Sequence, residues 1–475
     1  MLKIPKKSKR PDFGEADKMS LIHLLQEQNL LLKEKIKRLC RKLRELEARL
    51  NKNSRNSSKP PSTDTKKTKR TSSLRKKSDK KQGGQPGHKG KTLKVRPKPD
   101  EIMHLPVTNC GQCNKSLKDV DESIEIRQEF EIPTPKILVK EYQAASKTCS
   151  CGYVTSACFP KHIANKTQYG VNAKSLMVYM NQYQFLPYHR CSEFFETIYG
   201  HKISPATIVN ANKLLNNRSK QVEKEIKSLL SNAELVNCDE TSMKESGQRK
   251  WLHTVGNNKL THYALHEKRG SDATNEIGIL PDFLGIMIHD HWKSYFQYKR
   301  NSHGLCNAHH LRELKFLNEQ HKMKWAKKMS CLLLKIKKHK ERFLEKEKGQ
   351  FTSYLFKKYS TTYDTIILGA HKEQAFRGTI DSHNLIKRLS GFKKEALLFM
   401  CDFNVPFTNN LSERDLRMSK VKQKISGCFR STDGSEAFCR IRSMLSTAKK
   451  NSKNIFSIIQ KAFSYNITAK SLLTV

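Results

Sequence analysis

The chain has 475 residues and carries 90 Lys and Arg against 45 Asp and Glu, a formal net charge of +45. Self-repulsion at that charge is costly in a compact monomer unless a polyanion cancels it, so nucleic acid is the expected partner, and composition equally admits a basic RNA-binding protein. No run of about 18 apolar residues occurs, which excludes a membrane span, and the length calls for two to four domains.

The start, Met1-Leu2-Lys3-Ile4-Pro5-Lys6-Lys7, is basic without the apolar stretch of a signal peptide. With no export signal, the 13 cysteines are expected in a reducing compartment, binding metal or lying buried. A cytoplasmic, nucleoid-associated protein is the expectation. Over residues 1–50, Ile22, Asn29, Ile36, Leu43 and Leu50 recur every seven residues, and Leu25, Leu32, Leu39 and Leu46 repeat at an offset of three. This a/d seam predicts a coiled coil, with Asn29 favouring a dimer in fixed register. An amphipathic helix packed on its own chain is the alternative. From 51 to 90, thirteen Lys and Arg face only Asp64 and Asp79, and Leu74 is the one sizeable apolar residue. Such a segment cannot bury enough surface to offset its ordering entropy. A basic linker over 51–100, disordered when free and able to lie along DNA phosphates, is predicted.

Residues 101–165 read as a small β module. Ile124, Ile126, Phe130 and Ile132 alternate as on a strand, Pro133-Thr134-Pro135 turns the chain, and Ile137, Val139 and Tyr142 suggest the return. Cys110 and Cys113 precede this hairpin and Cys149 and Cys151 follow it. Together they form a thiolate set suited to a structural Zn²⁺ that would supply folding free energy. Residues 166–232 are predicted helical. A helix ending at Gly200 is followed by Ser204 as N-cap and Pro205 at the first helical position. That is a helix-turn-helix layout, with Ala206, Thr207 and Asn210 toward a major groove, and an ordinary helical hairpin has the same pattern.

From Glu234 the pattern changes to strands. Leu235-Val236-Asn237-Cys238 runs into Asp239; Trp251–Val255 and Leu260–Leu265 follow; after a helix near Ala273–Ile279, Phe283–His289 ends at Asp290. Three meandering strands, a crossover and a fourth strand match the opening of a ribonuclease-H-like α/β fold, with acids on two adjoining strands. A third acid, Glu413, starts a later helix behind Asn409 or Asn410, with Arg417 on its face. The 122 intervening residues, mostly helical and holding Trp325, are taken as an insertion over about 308–400. Phosphodiester cleavage needs an activated nucleophile and a stabilised leaving oxygen, and two Mg²⁺ (or Mn²⁺) ions about 4 Å apart serve both ends. Such hard ions take carboxylate oxygens, and Asp239, Asp290 and Glu413 are the predicted ligands.

Other polar residues are open to two readings. Cys306-x-x-His309 is either half a second metal site or structural, the latter favoured because no partner pair stands out. His289 and His291 point away from Asp290 on a strand, toward packing or DNA. Lys293 and Tyr295 are candidates to touch a substrate phosphate. Arg414 and Arg417 contact DNA or pair with acids. Glu240 rivals Asp239 as a ligand, although alternation turns it to the other face.

Stretches along most of the chain carry a resemblance. They include Asn56-Ser57-Ser58-Lys59-Pro60-Pro61-Ser62, Gly83-Gly84-Gln85-Pro86-Gly87-His88, the cysteine knuckles, Asp239-Glu240-Thr241 and His266-Glu267-Lys268-Arg269-Gly270. Further on come His289-Asp290-His291-Trp292-Lys293-Ser294-Tyr295, Cys306-Asn307-Ala308-His309-His310-Leu311-Arg312 and Asn409-Asn410-Leu411-Ser412-Glu413-Arg414. In these the chain resembles the large transposase of the insertion-sequence sixty-six family, of the DDE type. The resemblance implies a strand-transfer domain (233–430), a zinc-binding domain and a basic coiled-coil N-terminus, followed here by a helical region over 431–475. It also implies double-stranded DNA as partner, a homodimer or larger assembly, and room for accessory proteins encoded by the element. Ile425-Ser426-Gly427-Cys428-Phe429 is looser than the family pattern after the Glu helix, which bears on DNA contacts near that end.

Overall fold

The computed structural model describes residues 14–53, 56–57, 87 and 92–473, and these fall into two compact units. The larger takes in the described residues up to 57, 160–193 and 203–473; the smaller takes in the described residues between 87 and 159, and 194–202. Among the described residues no helix is long and apolar enough to cross a membrane.

Helix α1, Glu15–Leu50, is continuous over the predicted heptads. Its seam lies open, Ile22 at 49% and Ile36 at 58% exposure. Among its described side chains it is the last turn that is covered, where Ala48 joins a core with Leu311, Phe316 and Leu317. The chain then departs from the expected disorder. Lys52 pairs with Asp381 at 2.8 Å and lies over the Phe316 ring, while Asn53, Asn56 and Ser57 are buried. A local knot accounts for this: the Asn53 amide donates to Asn56 Oδ1 at 2.8 Å, and the Ser57 hydroxyl to the Asn53 carbonyl at 2.6 Å. Asn and Ser side chains satisfy backbone groups here in place of regular structure. The remainder of the basic linker up to residue 91, apart from Gly87, lies outside the described residues.

In the smaller unit the predicted hairpin over 124–142 is absent. Among its described residues the paired strands are β1 (Ser146–Thr148) and β2 (Val154–Ser156), antiparallel. Ile124, Ile126, Ile132 and Val139 are all exposed. Alternation makes a strand only where one face has something to cover, and this unit supplies no such face.

Helix α2 (Val171–Val178) runs into a π-helical turn, Tyr179–Tyr183, and α3 (Tyr188–Tyr199), α4 (Pro205–Arg218) and α5 (Lys220–Ser231) follow. Gly200 adopts φ 62°, a conformation that favours glycine. The Ser204 hydroxyl accepts from the Thr207 amide at 3.2 Å with Pro205 in the first turn, as the sequence predicts.

The sheet comprises β3 (Leu235–Glu245), β4 (Gln248–Gly256), β5 (Thr261–His266), then α6 (Ser271–Ile277), β6 (Ile286–His289) and β7 (Ser302–Leu305). The strand order is β5-β4-β3-β6-β7. The first three are antiparallel neighbours, and β6 and β7 run parallel to β3. The strand expected from Phe283 begins pairing at Ile286. β7 was not foreseen: Ser-His-Gly-Leu shows no alternation, and a Cβ at Gly304 would press on the end of the Ile288 side chain.

Six helices then intervene: α7 (Asn307–His321), α8 (Lys324–Leu344), α9 (Ser353–Arg377), α10 (Ile380–Gly391), α11 (Lys393–Ala396) and α12 (Leu398–Cys401). Trp325, Met329, Leu333, Tyr363 and Leu389 fill their core. The chain returns to the sheet with α13 (Asn410–Ser426) and α14 (Thr432–Lys450), and closes with α15 (Ile455–Ser464) and α16 (Ala469–Leu473). Helix α14 covers the edge strand β5. Ser443 Oγ and Thr447 Oγ1 accept the outward amides of Tyr263 and Thr261 at 2.9 and 3.1 Å. Side-chain oxygens so occupy the donors that an open edge would offer to another strand.

Candidate functional site

Asn237 pairs with Ile288 in the parallel β3–β6 ladder. Two residues further along stand Asp239, within β3, and Asp290, directly after the end of β6, level with one another. Side chains two apart share a face, and neighbouring strands lie about 4.8 Å apart. Asp239 also shares its face with Asn237, and that face meets α13. There Asn237 Nδ2 donates to Asn409 Oδ1 at 2.8 Å, and Asn409 Nδ2 to the Cys238 carbonyl at 2.7 Å, both buried. This clamp ties the start of α13 to β3 and brings Glu413, in the first turn, to the same place. Asn409 holds the N-cap position, yet its side chain does not cap; the expected capping role gives way to the clamp.

The electrostatics report the convergence. Burial, then the charges of Glu240, Asp290 and Glu413, push Asp239 well above the ordinary carboxylate range, against the hydrogen bond from the Glu240 amide. Burial and Glu240 raise Asp290 to about 6, opposed by the Trp292 amide at 2.9 Å and by Arg269 and Arg388. Glu413 lies 3.7 Å from Arg312 of α7. Half-buried acids that repel one another are a donor set that a divalent cation would relieve, and their all-oxygen chemistry fits Mg²⁺ or Mn²⁺.

The rival acids are taken. Glu240, on the opposite face, accepts from Arg269 at 2.8 Å and from the Tyr295 hydroxyl at 2.6 Å. Arg269 is itself sandwiched, 3.8 Å from the Trp292 ring and 4.8 Å from that of Trp251. Tyr295 is thus buried as a brace and is not available to a phosphate, contrary to the sequence expectation. Asp415, two residues past Glu413, is held by Lys450 at 2.7 Å and Thr261 at 3.2 Å.

His289 is fully buried with Nε2 3.1 Å from His303 Nδ1, and the His291 ring packs edge-on against Phe392 at 4.5 Å. Both serve packing. Lys293, Arg414 and Arg417 are exposed, the first on the 3₁₀ turn Lys293–Gln297 after Asp290 and the other two on α13. Ala206 and Asn210 are exposed on α4, whereas Thr207 is half-buried with its hydroxyl 2.9 Å from Ser204. The knuckle cysteines form two pairs: Cys110 and Cys149 are each lowered in pKa chiefly by hydrogen bonds from Cys113 and Cys151. Among the described residues the four do not draw together into one set.

The one metal-type grouping among the described residues lies elsewhere. Cys306, His309 and Glu413 each offer a ligand atom within 4.8 Å of the others. The preference for a structural Cys306 and His309 overlooked Glu413 as their partner, because a carboxylate 107 residues from the thiol leaves no spacing signal. Arg269, Arg312, Asn237 and Asn409 were also missed as supports, although each lies in or beside a family-like stretch.

A mixed sheet flanked by helices, with acids from two adjoining strands and a later helix on one face, has the makings of a transposase. Residues 166–437, more than half of the chain, match the model of the Transposase IS66 family, and the chain belongs to that family. Residues 5–94 match a further family of unknown function (DUF6444). Among solved structures, the crystal structure of the Mos1 Strand Transfer Complex is similar at 11% identity and a TM-score of 0.12, over 31% of this chain and 60% of that one. No curated protein matches.

Proposed function

We propose that this transposase cleaves and rejoins DNA strands through Asp239, Asp290 and Glu413 as ligands of two Mg²⁺ or Mn²⁺ ions, in a ribonuclease-H-like domain over about 233–430. The observation that carries the reading is geometric: the β3–β6 register sets Asp239 level with Asp290, and the Asn237–Asn409 clamp brings Glu413 to the same face, acids 51 and 174 residues away from Asp239 in sequence. The strand order β5-β4-β3-β6-β7, with β6 and β7 parallel to β3, supports the fold assignment. When bound, the ions would activate the attacking water or 3′-hydroxyl and stabilise the leaving oxygen. The chain's own part is positional: the Asn237–Asn409 clamp sets Glu413 against β3, Arg312 restrains its carboxylate, and Arg269 and Tyr295 keep Glu240 out of the set.

Around this core, the open heptad seam of α1 supports a coiled-coil dimer, and α3–Gly200–α4 with exposed Ala206 and Asn210 supports a helix-turn-helix reading of 166–232. Lys293, Arg414 and Arg417 are proposed to contact DNA phosphates, and Cys110, Cys113, Cys149 and Cys151 to close on a structural Zn²⁺. The basic excess suits a DNA-bound, nucleoid-associated protein. The test is Mg²⁺-dependent nicking of DNA bearing the element ends by wild type and by Asp239→Asn. Nicking lost in the variant, with DNA binding kept, is expected; equal nicking in both refutes the assigned chemistry.

A further inference from the structure

Cys306 and His309 stand where a catalytic acid of the proposed trio also stands, and the reading above gives them no task. Cys306 directly precedes α7, and His309 follows three residues on, so both occupy one face of the first helical turn. Backbone hydrogen bonds fix their position: the Cys306 amide donates to the His289 carbonyl at 3.0 Å and the Asn307 amide to the Phe407 carbonyl at 3.1 Å. The Asn409 amide points at Cys306 Sγ at 3.1 Å. The N–H aimed at sulfur works against burial, which pushes the Cys306 thiol up to about 11, so the group stays a thiol until a cation displaces its proton. His309 Nδ1 is buried and finds no hydrogen-bond partner among the described residues. The Glu413 carboxylate completes the group, with the three ligand atoms mutually within 4.8 Å.

We infer that Cys306, His309 and Glu413 form a binding site for a borderline-soft divalent cation of the Zn²⁺ class, distinct in character from the all-oxygen pair and joined to it through Glu413. Ligand atoms in a tetrahedral zinc shell lie about 3.5 Å apart, given bonds of roughly 2.0–2.3 Å, so from separations within 4.8 Å a closure of at most about 1.3 Å completes the shell. One sulfur, one nitrogen and one oxygen suit Zn²⁺, Co²⁺ or Cd²⁺ and reject Mg²⁺, which takes hard oxygens. Three protein ligands leave a fourth position for water or a substrate oxygen. On binding, the Cys306 thiol gives its proton to solvent and the sulfur–metal bond replaces the sulfur–hydrogen bond, while the imidazole binds neutral. The site does not depend on whether the trio cleaves DNA, since its ligation is measurable in the absence of any reaction.

The experiment is Cd²⁺ loading of the full-length protein after chelation, followed by ¹¹³Cd NMR and metal counting, because the cadmium shift separates a one-thiolate site from the all-thiolate knuckles. Wild type is expected to show a one-thiolate resonance and one more equivalent of Cd²⁺ than Cys306→Ser or His309→Asn, both folded by circular dichroism. Asp239→Asn is expected to keep that resonance even where it abolishes nicking. Equal metal content in wild type and both variants overturns the proposal, as does loss of the resonance in Asp239→Asn, which would move the ion into the trio. If nicking proves independent of Asp239 while the one-thiolate signal persists, the catalytic reading falls and this site stands.

Discussion

Replacing Asp290 by asparagine removes a charge that the folded protein holds at a cost. Burial and Glu240 raise this carboxyl from an ordinary 3.8 to about 6. Between those values the folded chain binds more protons than the unfolded chain, so stability falls as pH rises through the window. Above pH 6 the full cost is present, about 3 kcal/mol at 1.36 kcal/mol per unit, and below pH 4 it vanishes. Asp290→Asn keeps an oxygen for the Trp292 amide and sheds the charge. In chelator at pH 7.5 it is expected to be more stable than wild type by up to about 3 kcal/mol, a rise of several degrees in the melting of the sheet-bearing unit. At pH 4 the two are expected to coincide. Mg²⁺ should then raise the Tm of wild type well beyond that of the variant, since a ligand that binds only the folded state stabilises by mass action. Thermal scans at the two pH values, with and without Mg²⁺, read all of this. A variant no more stable than wild type at pH 7.5, or one whose advantage grows toward acid, refutes the argument that Asp290 is a half-buried, repelled carboxylate.

Asn409→Ala severs both arms of the clamp to Asn237 and Cys238. Removing these buried hydrogen bonds should cost about 2–4 kcal/mol and lower strand cleavage far more than DNA affinity, checked by denaturant unfolding beside gel-shift and nicking assays. Arg269→Lys keeps the charge but loses the planar fork on Glu240 and the stacking on Trp251 and Trp292; a loss of about 2 kcal/mol is expected in the same unfolding experiment, and an unchanged midpoint would contradict it. Ile36→Asp places a charge in the open seam of α1. Light scattering should find wild type dimeric and the variant monomeric, with no change in the Tm of the sheet-bearing unit.

What was legible in the residues was what local periodicity and local chemistry encode. The heptads of α1, the Ser204–Pro205 helix start and the approach of β3 and β6 to Asp239 and Asp290 each depend on neighbours within a turn or a strand. Where a pattern needed a distant partner, the reading failed or stayed open. Alternation over 124–142 found no face to pack on, β7 carried no pattern, and the linker start at Asn51 and Lys52 settled on helices more than 250 residues away.

By itself the sequence determined the long N-terminal helix, the helix start at Ser204–Pro205, the strands that lead to Asp239 and Asp290, and the basic excess, because propensity, charge and residue type are properties of short segments. Only the tertiary structure decided that Asn409 clamps rather than caps, that Tyr295 braces Glu240, and that Cys306 and His309 meet Glu413. Those outcomes depend on which surfaces the β3–β6 register and the return of α13 bring together. Burial and repulsion, unlike periodicity, exist only once the chain has closed on itself.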